Sequence, residues 1–139
     1  MILFLDANIL VTLLNKEYPL FPYVARIVSL IEDPKYQIYT SPVCLAIAFY
    51  FAEKKSGRAK ATQKISLLVE KILITTLDKE AVIKAARNPA VLDFEDGLEY
   101  YSAESVKAEC IVTENRDDFF FSTIEVLDSR SFLNKYFLG

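Results

Sequence analysis

The sequence predicts a single α/β domain over residues 1–139, organised around a mainly parallel sheet. Three observations carry that expectation. Short apolar runs alternate along the chain with stretches of helical periodicity. Turn signals fall between them at Pro19 to Pro22, Asp33-Pro34, Ser56-Gly57 and Asn88-Pro89, and none is long enough to be an interdomain linker. Acidic residues stand where strands end, and open parallel sheets bind ligands at the carboxyl ends of their strands.

Taken in order, the first strand is ILFL at 2–5, wholly apolar as a buried strand should be, and it exits into Asp6. Ala7, Asn8 and a renewed apolar run follow. Residues 22–32 place Val24, Ile27, Val28 and Ile31 on one helical face. QIYT at 37–40 reads as the second strand. Residues 43–55 are apolar nearly all round, which predicts a buried helix. Residues 58–72 carry Ile65, Leu68, Val69 and Ile72 on a stripe with lysines opposite, predicting an amphipathic helix. A third strand is expected at 72–77, helices at 79–87 and 94–108, strands at 110–112 and 124–127, and a short helix near 130–137. There is no internal repeat and no low-complexity segment.

Composition narrows the chemistry. The chain is 53% hydrophobic with a formal charge of −3 and no histidine. Without histidine, Ser-His-Asp and Cys-His catalysis are excluded, and two cysteines cannot build a four-cysteine zinc centre. What remains is chemistry by carboxylates, lysines, hydroxyls or hard metal ions. Cys44 and Cys110 sit in apolar surroundings and read as buried free thiols, which points to a reducing, cytoplasmic location. No apolar run reaches the roughly 18–20 residues that span a bilayer, and no basic segment precedes the first apolar stretch as in a secretory signal. Lys54, Lys55, Arg58, Lys60 and Lys64 cluster, either as a local nucleic-acid patch or as a solvated helix end.

The acids group in three places. Asp6 leaves the first strand. The strand at 110–112 leaves into Thr113-Glu114-Asn115-Arg116-Asp117-Asp118-Phe119. Asp93 is placed to cap the helix that follows, which puts Asp96 in its first turn. If the two strands are neighbours, these turns converge on one cleft. Like charges so arranged call for a cation, and carboxylates are the preferred ligands of Mg²⁺ and Mn²⁺. Such a centre supports hydrolysis of a phosphodiester.

With those residues in place the chain resembles the PIN-domain nucleases, and among them the small VapC-like toxins of bacterial toxin–antitoxin pairs. The resemblance rests on LDANIL at 5–10, DFEDGLEYYSA at 93–103, IVTENRDDF at 111–119 and IEVLDSRSFL at 124–133. It implies a three-layer α/β/α fold with a five-stranded, mainly parallel sheet, and a metal-dependent endoribonuclease acting on RNA with Mg²⁺ or Mn²⁺. It implies metal-binding, catalytic roles for Asp6 and Asp96, and for Asp118 or the neighbouring position of Asn115. Thr113 is expected to bond to the acidic cluster, Asn8 to hold the first turn, and Asp93 to support the site. An antitoxin protein is the implied partner. A homodimer is expected as well, since Tyr18, Phe21, Tyr23, Tyr50 and Phe51 crowd the first half of the chain. One position departs from the pattern. Family members usually carry a glutamate where this chain has Ile47, and Glu53, six residues on along the same helix, lies about 9 Å away along its axis and on another face. A degenerate PIN domain that binds RNA or a protein without cutting is the alternative this departure supports. A phosphoacceptor module using Asp6 is a further one, but it lacks a second acid beside Asp6.

Overall fold

The structure is a computed structural model and describes residues 1–138. Five parallel strands form one sheet in the order β3-β2-β1-β4-β5: β1 (Ile2–Leu5), β2 (Gln37–Thr40), β3 (Leu73–Ile74), β4 (Cys110–Val112) and β5 (Glu125–Leu127). The chain starts at the centre, winds outward through β2 and β3, then crosses back to lay β4 on the other side of β1. The order therefore reverses between β1 and β4, which marks that boundary as the place for a ligand. Its register pairs Leu3 with Cys110, Phe4 with Ile111 and Leu5 with Val112.

Seven α-helices connect the strands among the described residues: α1 (Ala7–Asn15), α2 (Phe21–Val28), α3 (Pro42–Ser56), α4 (Arg58–Val69), α5 (Lys79–Arg87), α6 (Phe94–Ser105) and α7 (Ser129–Leu133). Helix α3 packs against α1, α4 and α6; α5 packs on α6; and α2 packs on α1 and α7. Covered on both faces, the central strands are apolar throughout, with Leu3, Phe4, Leu5, Ile111 and Val112 fully buried. Both thiols are free and buried, as their surroundings predict.

The strands lie where the apolar runs predict, the fifth shorter by one residue and the third by more. The third was expected over 72–77 but pairs only through Leu73 and Ile74, with Thr75 donating one more bond to Thr40. It is an edge strand with a single neighbour, and its side chains are half-exposed. Residues 7–15, given no element by the sequence pattern, form α1. The expected helix over 22–32 becomes α2 followed by a 3-10 turn at Ser29–Glu32, and the one near 130–137 becomes α7 followed by a wider turn at Asn134–Leu138. Helices α4 and α6 stop three residues short of the expected ends, at Val69 and Ser105. Helix α3 corrects the expectation of an all-round buried helix. Only its small residues Cys44, Ala48 and Ala52 face fully inward, letting α1 and α4 approach closely, while Tyr50 and Phe51 are exposed.

Candidate active site at the β1–β4 boundary

Asp6 follows the last residue of β1 and is the N-cap of α1. Its backbone is extended, its N–H still donates to Val112 O across the sheet at 3.0 Å, and its Oδ1 accepts from Ala7 N at 2.6 Å. The Leu5–Val112 register brings Thr113 beside it. Thr113 Oγ1 donates to Asp6 Oδ2 at 2.7 Å and accepts from Asn8 Nδ2 at 3.0 Å and from Asn115 N at 3.1 Å. Asn8 Nδ2 also reaches Asp6 Oδ2 at 3.2 Å, and Asn8 Oδ1 accepts from Glu114 N at 3.1 Å. The carboxylate is thus clamped by two strand exits, and only 6% of the residue is exposed. Asn8, Thr113 and Asn115 therefore hold the first acid in one orientation, the first two by their side chains and the last through its backbone N–H.

Helix α6 brings the second group. Asp93 caps it, accepting from Glu95 N at 2.9 Å, and Asp96 lies in the first turn as the sequence predicts. Gly97 permits the close approach of α5 and of the segment that follows it: a Cβ at that position would lie 2.7 Å from Val91 Cγ1 and 3.1 Å from Ala85 Cβ. Asp118 sits in the 3-10 turn Arg116–Phe119 that follows β4, exposed, with Asn115 just before the turn. Asp6, Asn8, Asp93, Asp96, Asn115 and Asp118 all border one cavity of about 690 Å³. Thr113 lies beneath it, fully buried.

Nine acidic residues line this cavity, and no lysine or arginine does so among the described residues. The consequence is visible in Asp96. Burial first, then the charges of Asp93, Asp118, Asp6 and Glu95, push its carboxyl up to about 7 from its ordinary 3.8. Deeper still lies Glu99, one turn along α6 from Asp96 and only 2% exposed. Burial, a hydrogen bond shared with Asp6, and the charges of Asp6, Asp96 and Glu95 push it up to about 11. Its Oε2 has no hydrogen-bond partner among the described residues. Asp6, Glu99 and the thiol of Cys44 offer ligand atoms that all lie within 4.8 Å of one another, whereas Asp96 and Asp118 do not complete such a triplet with Asp6. A hard divalent cation fits the carboxylate part of this set, Asp6 and Glu99 in an acid-lined cavity, with a buried carboxylate oxygen left without a donor among the described residues; the soft thiol of Cys44 does not add to that fit.

Ile47, half-buried, lines the same cavity from α3, so the wall there is apolar. Glu53 is exposed near the far end of α3 and takes no part. In the basic cluster Lys54, Lys55, Arg58 and Lys60 are exposed and Lys64 is half-buried; Lys55 donates to Asn15 O at 2.5 Å and Lys64 to Ser56 Oγ at 3.4 Å.

A model of the PIN domain family matches residues 3–117, which is most of the chain and includes β1, α6 and β4. The chain belongs to the PIN domain family. No curated protein matches it. Among solved structures, this PIN domain is similar to VapBC2 from Rickettsia felis bound to a DNA fragment of its promoter, with a TM-score of 0.70 and 19% identity over 92% of this chain and 98% of that one. It is similar to VapBC-1 from nontypeable Haemophilus influenzae, with a TM-score of 0.71 and 21% identity over 94% and 99%. It also resembles VapC20 from Mycobacterium tuberculosis, described as a sarcin–ricin loop cleaving toxin, with a TM-score of 0.64 and 13% identity over 78% and 86%. These likenesses establish the PIN fold along nearly the whole chain.

The sequence pattern alone assigns Glu99 no role, yet it carries a signal: Glu99 stands three residues after Asp96, the spacing that puts two side chains on one helix face. An acid on an otherwise aromatic and small-residue stripe (Tyr100, Ala103) is a poor solvent-facing residue.

Proposed function

We propose that this PIN domain is a divalent-metal-dependent endoribonuclease and the toxin of a toxin–antitoxin pair. The observation that carries this reading is the cavity at the β1–β4 boundary, walled by acids with no counter-cation, in which Asp6 is clamped by Thr113 and Asn8. Asp6, Asp96 and Asp118 are the proposed catalytic residues and would hold Mg²⁺ or Mn²⁺. Asn8, Thr113 and Asn115 orient Asp6 and the β4 exit, while Asp93 fixes the start of α6 and so the position of Asp96. A bound ion supplies a charge that polarises a phosphoryl oxygen and activates water. The protein's own part is to keep the carboxylates apart, oriented and poised over an open cleft, where an RNA strand can lie across the carboxyl edge of the sheet. RNA as substrate is in line with the likeness to VapC20, a sarcin–ricin loop cleaving toxin.

An antitoxin segment is the proposed partner, in line with the VapBC structures this chain resembles. Leu92, Phe120 and Phe51 are exposed at the cavity rim and would be covered by such a segment, while an arginine carried by it would neutralise the acids. Exposed Tyr18 and Tyr50 support a homodimer. No helix of the described residues is long and apolar enough to cross a membrane, and a cytoplasmic location is proposed.

Cleavage of a labelled RNA with Mn²⁺ or Mg²⁺, by wild type and Asp6→Asn, tests the reading. Metal-dependent cleavage lost in Asp6→Asn is expected. The degenerate reading, favoured by the apolar Ile47 wall, takes over if the wild type binds RNA and leaves it intact.

A further inference from the structure

The structure assigns Glu99 as a ligand-bearing carboxylate of the metal centre, supplying with Asp6 the inner pair of oxygens that grips a divalent cation. The inference rests on the nuclease reading above and deepens it. Four observations converge on it. Glu99 is nearly completely buried, yet it borders the acidic cavity. Its Oε2 has no partner among the described residues. A buried carboxylate oxygen left without a donor is costly, and most such groups in folded proteins are satisfied. An oxygen of Asp6 lies within 4.8 Å of one of Glu99. Two oxygens sharing an ion at about 2.1 Å each stand up to about 4.2 Å apart, so a small side-chain adjustment closes the pair on a cation.

The opposite wall explains why the charge comes from α6. Helix α3 presents Ile47 to the cavity and Cys44 to the floor, and neither is a hard-cation ligand. Glu99 stands one helical turn deeper than Asp96, so a single helix delivers two carboxylates to the same cleft at different depths. Thr113, Asn8 and Ala7 all donate to the Asp6 carboxyl group and fix its orientation, so Asp6 is held in place within 4.8 Å of the Glu99 oxygen.

The test is metal binding rather than cleavage. Mn²⁺ is titrated into wild type, Glu99→Gln and Asp6→Asn, with free ion followed by electron paramagnetic resonance and heat by calorimetry. Thermal unfolding in EDTA reports whether each variant folds. The expected result is binding weakened roughly tenfold or more in Glu99→Gln, with its unfolding in EDTA no lower than wild type. Glutamine has the shape of the protonated acid, so the fold is expected to hold. If it does not, Glu99→Asp withdraws the carboxylate by one methylene and answers the same question. Mn²⁺ affinity within about threefold of wild type in the folded Glu99 variant, alongside loss in Asp6→Asn, overturns the assignment and leaves the nuclease reading standing. No Mn²⁺ binding by the wild type at millimolar ion removes both.

Discussion

Thr113 and Asp6 are joined by a 2.7 Å hydrogen bond that runs from the end of β4 to the end of β1, inside the fully buried floor of the acidic cavity. The hydroxyl has no spare capacity: it donates to Asp6 and accepts from Asn8 and Asn115. Thr113→Val keeps the volume and removes all three bonds. The expected outcome is Mn²⁺ affinity lower by about tenfold or more, with a stability loss of about 1–3 kcal/mol from the unpaired donors. Calorimetry with Mn²⁺ and urea unfolding measure the two effects. A variant unchanged in metal affinity would remove Thr113 from the machinery.

The acid cluster makes stability depend on pH. Glu99 is raised to about 11 from 4.5 and Asp96 to about 7 from 3.8, so the folded protein favours their neutral forms more than the unfolded chain does. Their stabilising contribution is complete below the unfolded values, near pH 4. It declines as pH rises, through about 7 for Asp96 and onward toward 11 for Glu99. Metal-free protein should therefore unfold at a lower temperature at pH 8 than at pH 5, by a few degrees or about 1 kcal/mol and more. Glu99→Gln should flatten much of that slope, and millimolar Mn²⁺ should stabilise most at the higher pH, where the carboxylates ionise to receive it. Equal unfolding temperatures at both values in EDTA would contradict the account.

Gly97 gives a purely geometric prediction. Gly97→Ala puts a methyl within 2.7 Å of Val91 Cγ1 and 3.1 Å of Ala85 Cβ, so Val91 must shift and the contact with α5 tightens. Overpacking of this kind costs about 1–3 kcal/mol. Because Asp96 is its immediate neighbour, metal affinity should fall along with the unfolding temperature. Pairing it with Val91→Ala, which vacates the contact, should recover both; a double variant no better than the single would place the strain elsewhere.

How much of this was legible in the sequence follows from burial. The strands at 2–5 and 110–112 announce themselves because both faces of the sheet are covered and every residue is apolar. Asp6, Asp93 and Asp96 were legible because strand exits and helix starts are positions where an acid has a defined job. Helix α1 was not, since ILFLDANILVTLL is apolar on both sides of Asp6 and its periodicity does not separate strand from helix. Helix α3 misled for a related reason: Tyr50 and Phe51 look like core and are surface, while Cys44, Ala48 and Ala52 do the burying. Glu99 escaped because charge on a helix is read as solvated, and only the packing of α6 against α3 turns that position inward.

Ile47 carries the last prediction. It lines the cavity from α3 together with the acids that follow β1 and that α6 carries, and the resemblance to the family expects an acid at this position. Ile47→Glu adds a carboxylate to a cavity that has nine acidic residues and no lysine or arginine lining it among the described residues. In EDTA at pH 8 that addition is unfavourable, because a half-buried charge joins like charges, so the unfolding temperature should drop. With Mn²⁺ the same carboxylate becomes a further oxygen ligand, and affinity should rise about tenfold, since hard cations respond to ligand charge and number. The variant should thus be less stable than wild type without metal and gain more from it. The double variant Ile47→Glu, Glu99→Gln should recover part of the binding lost by Glu99→Gln alone, because one carboxylate is withdrawn from α6 while another is supplied by α3 across the same space. Metal affinity unchanged by Ile47→Glu in both backgrounds would mean that the α3 wall does not reach the ion, and the centre would then be built from β1, α6 and the turn after β4 alone.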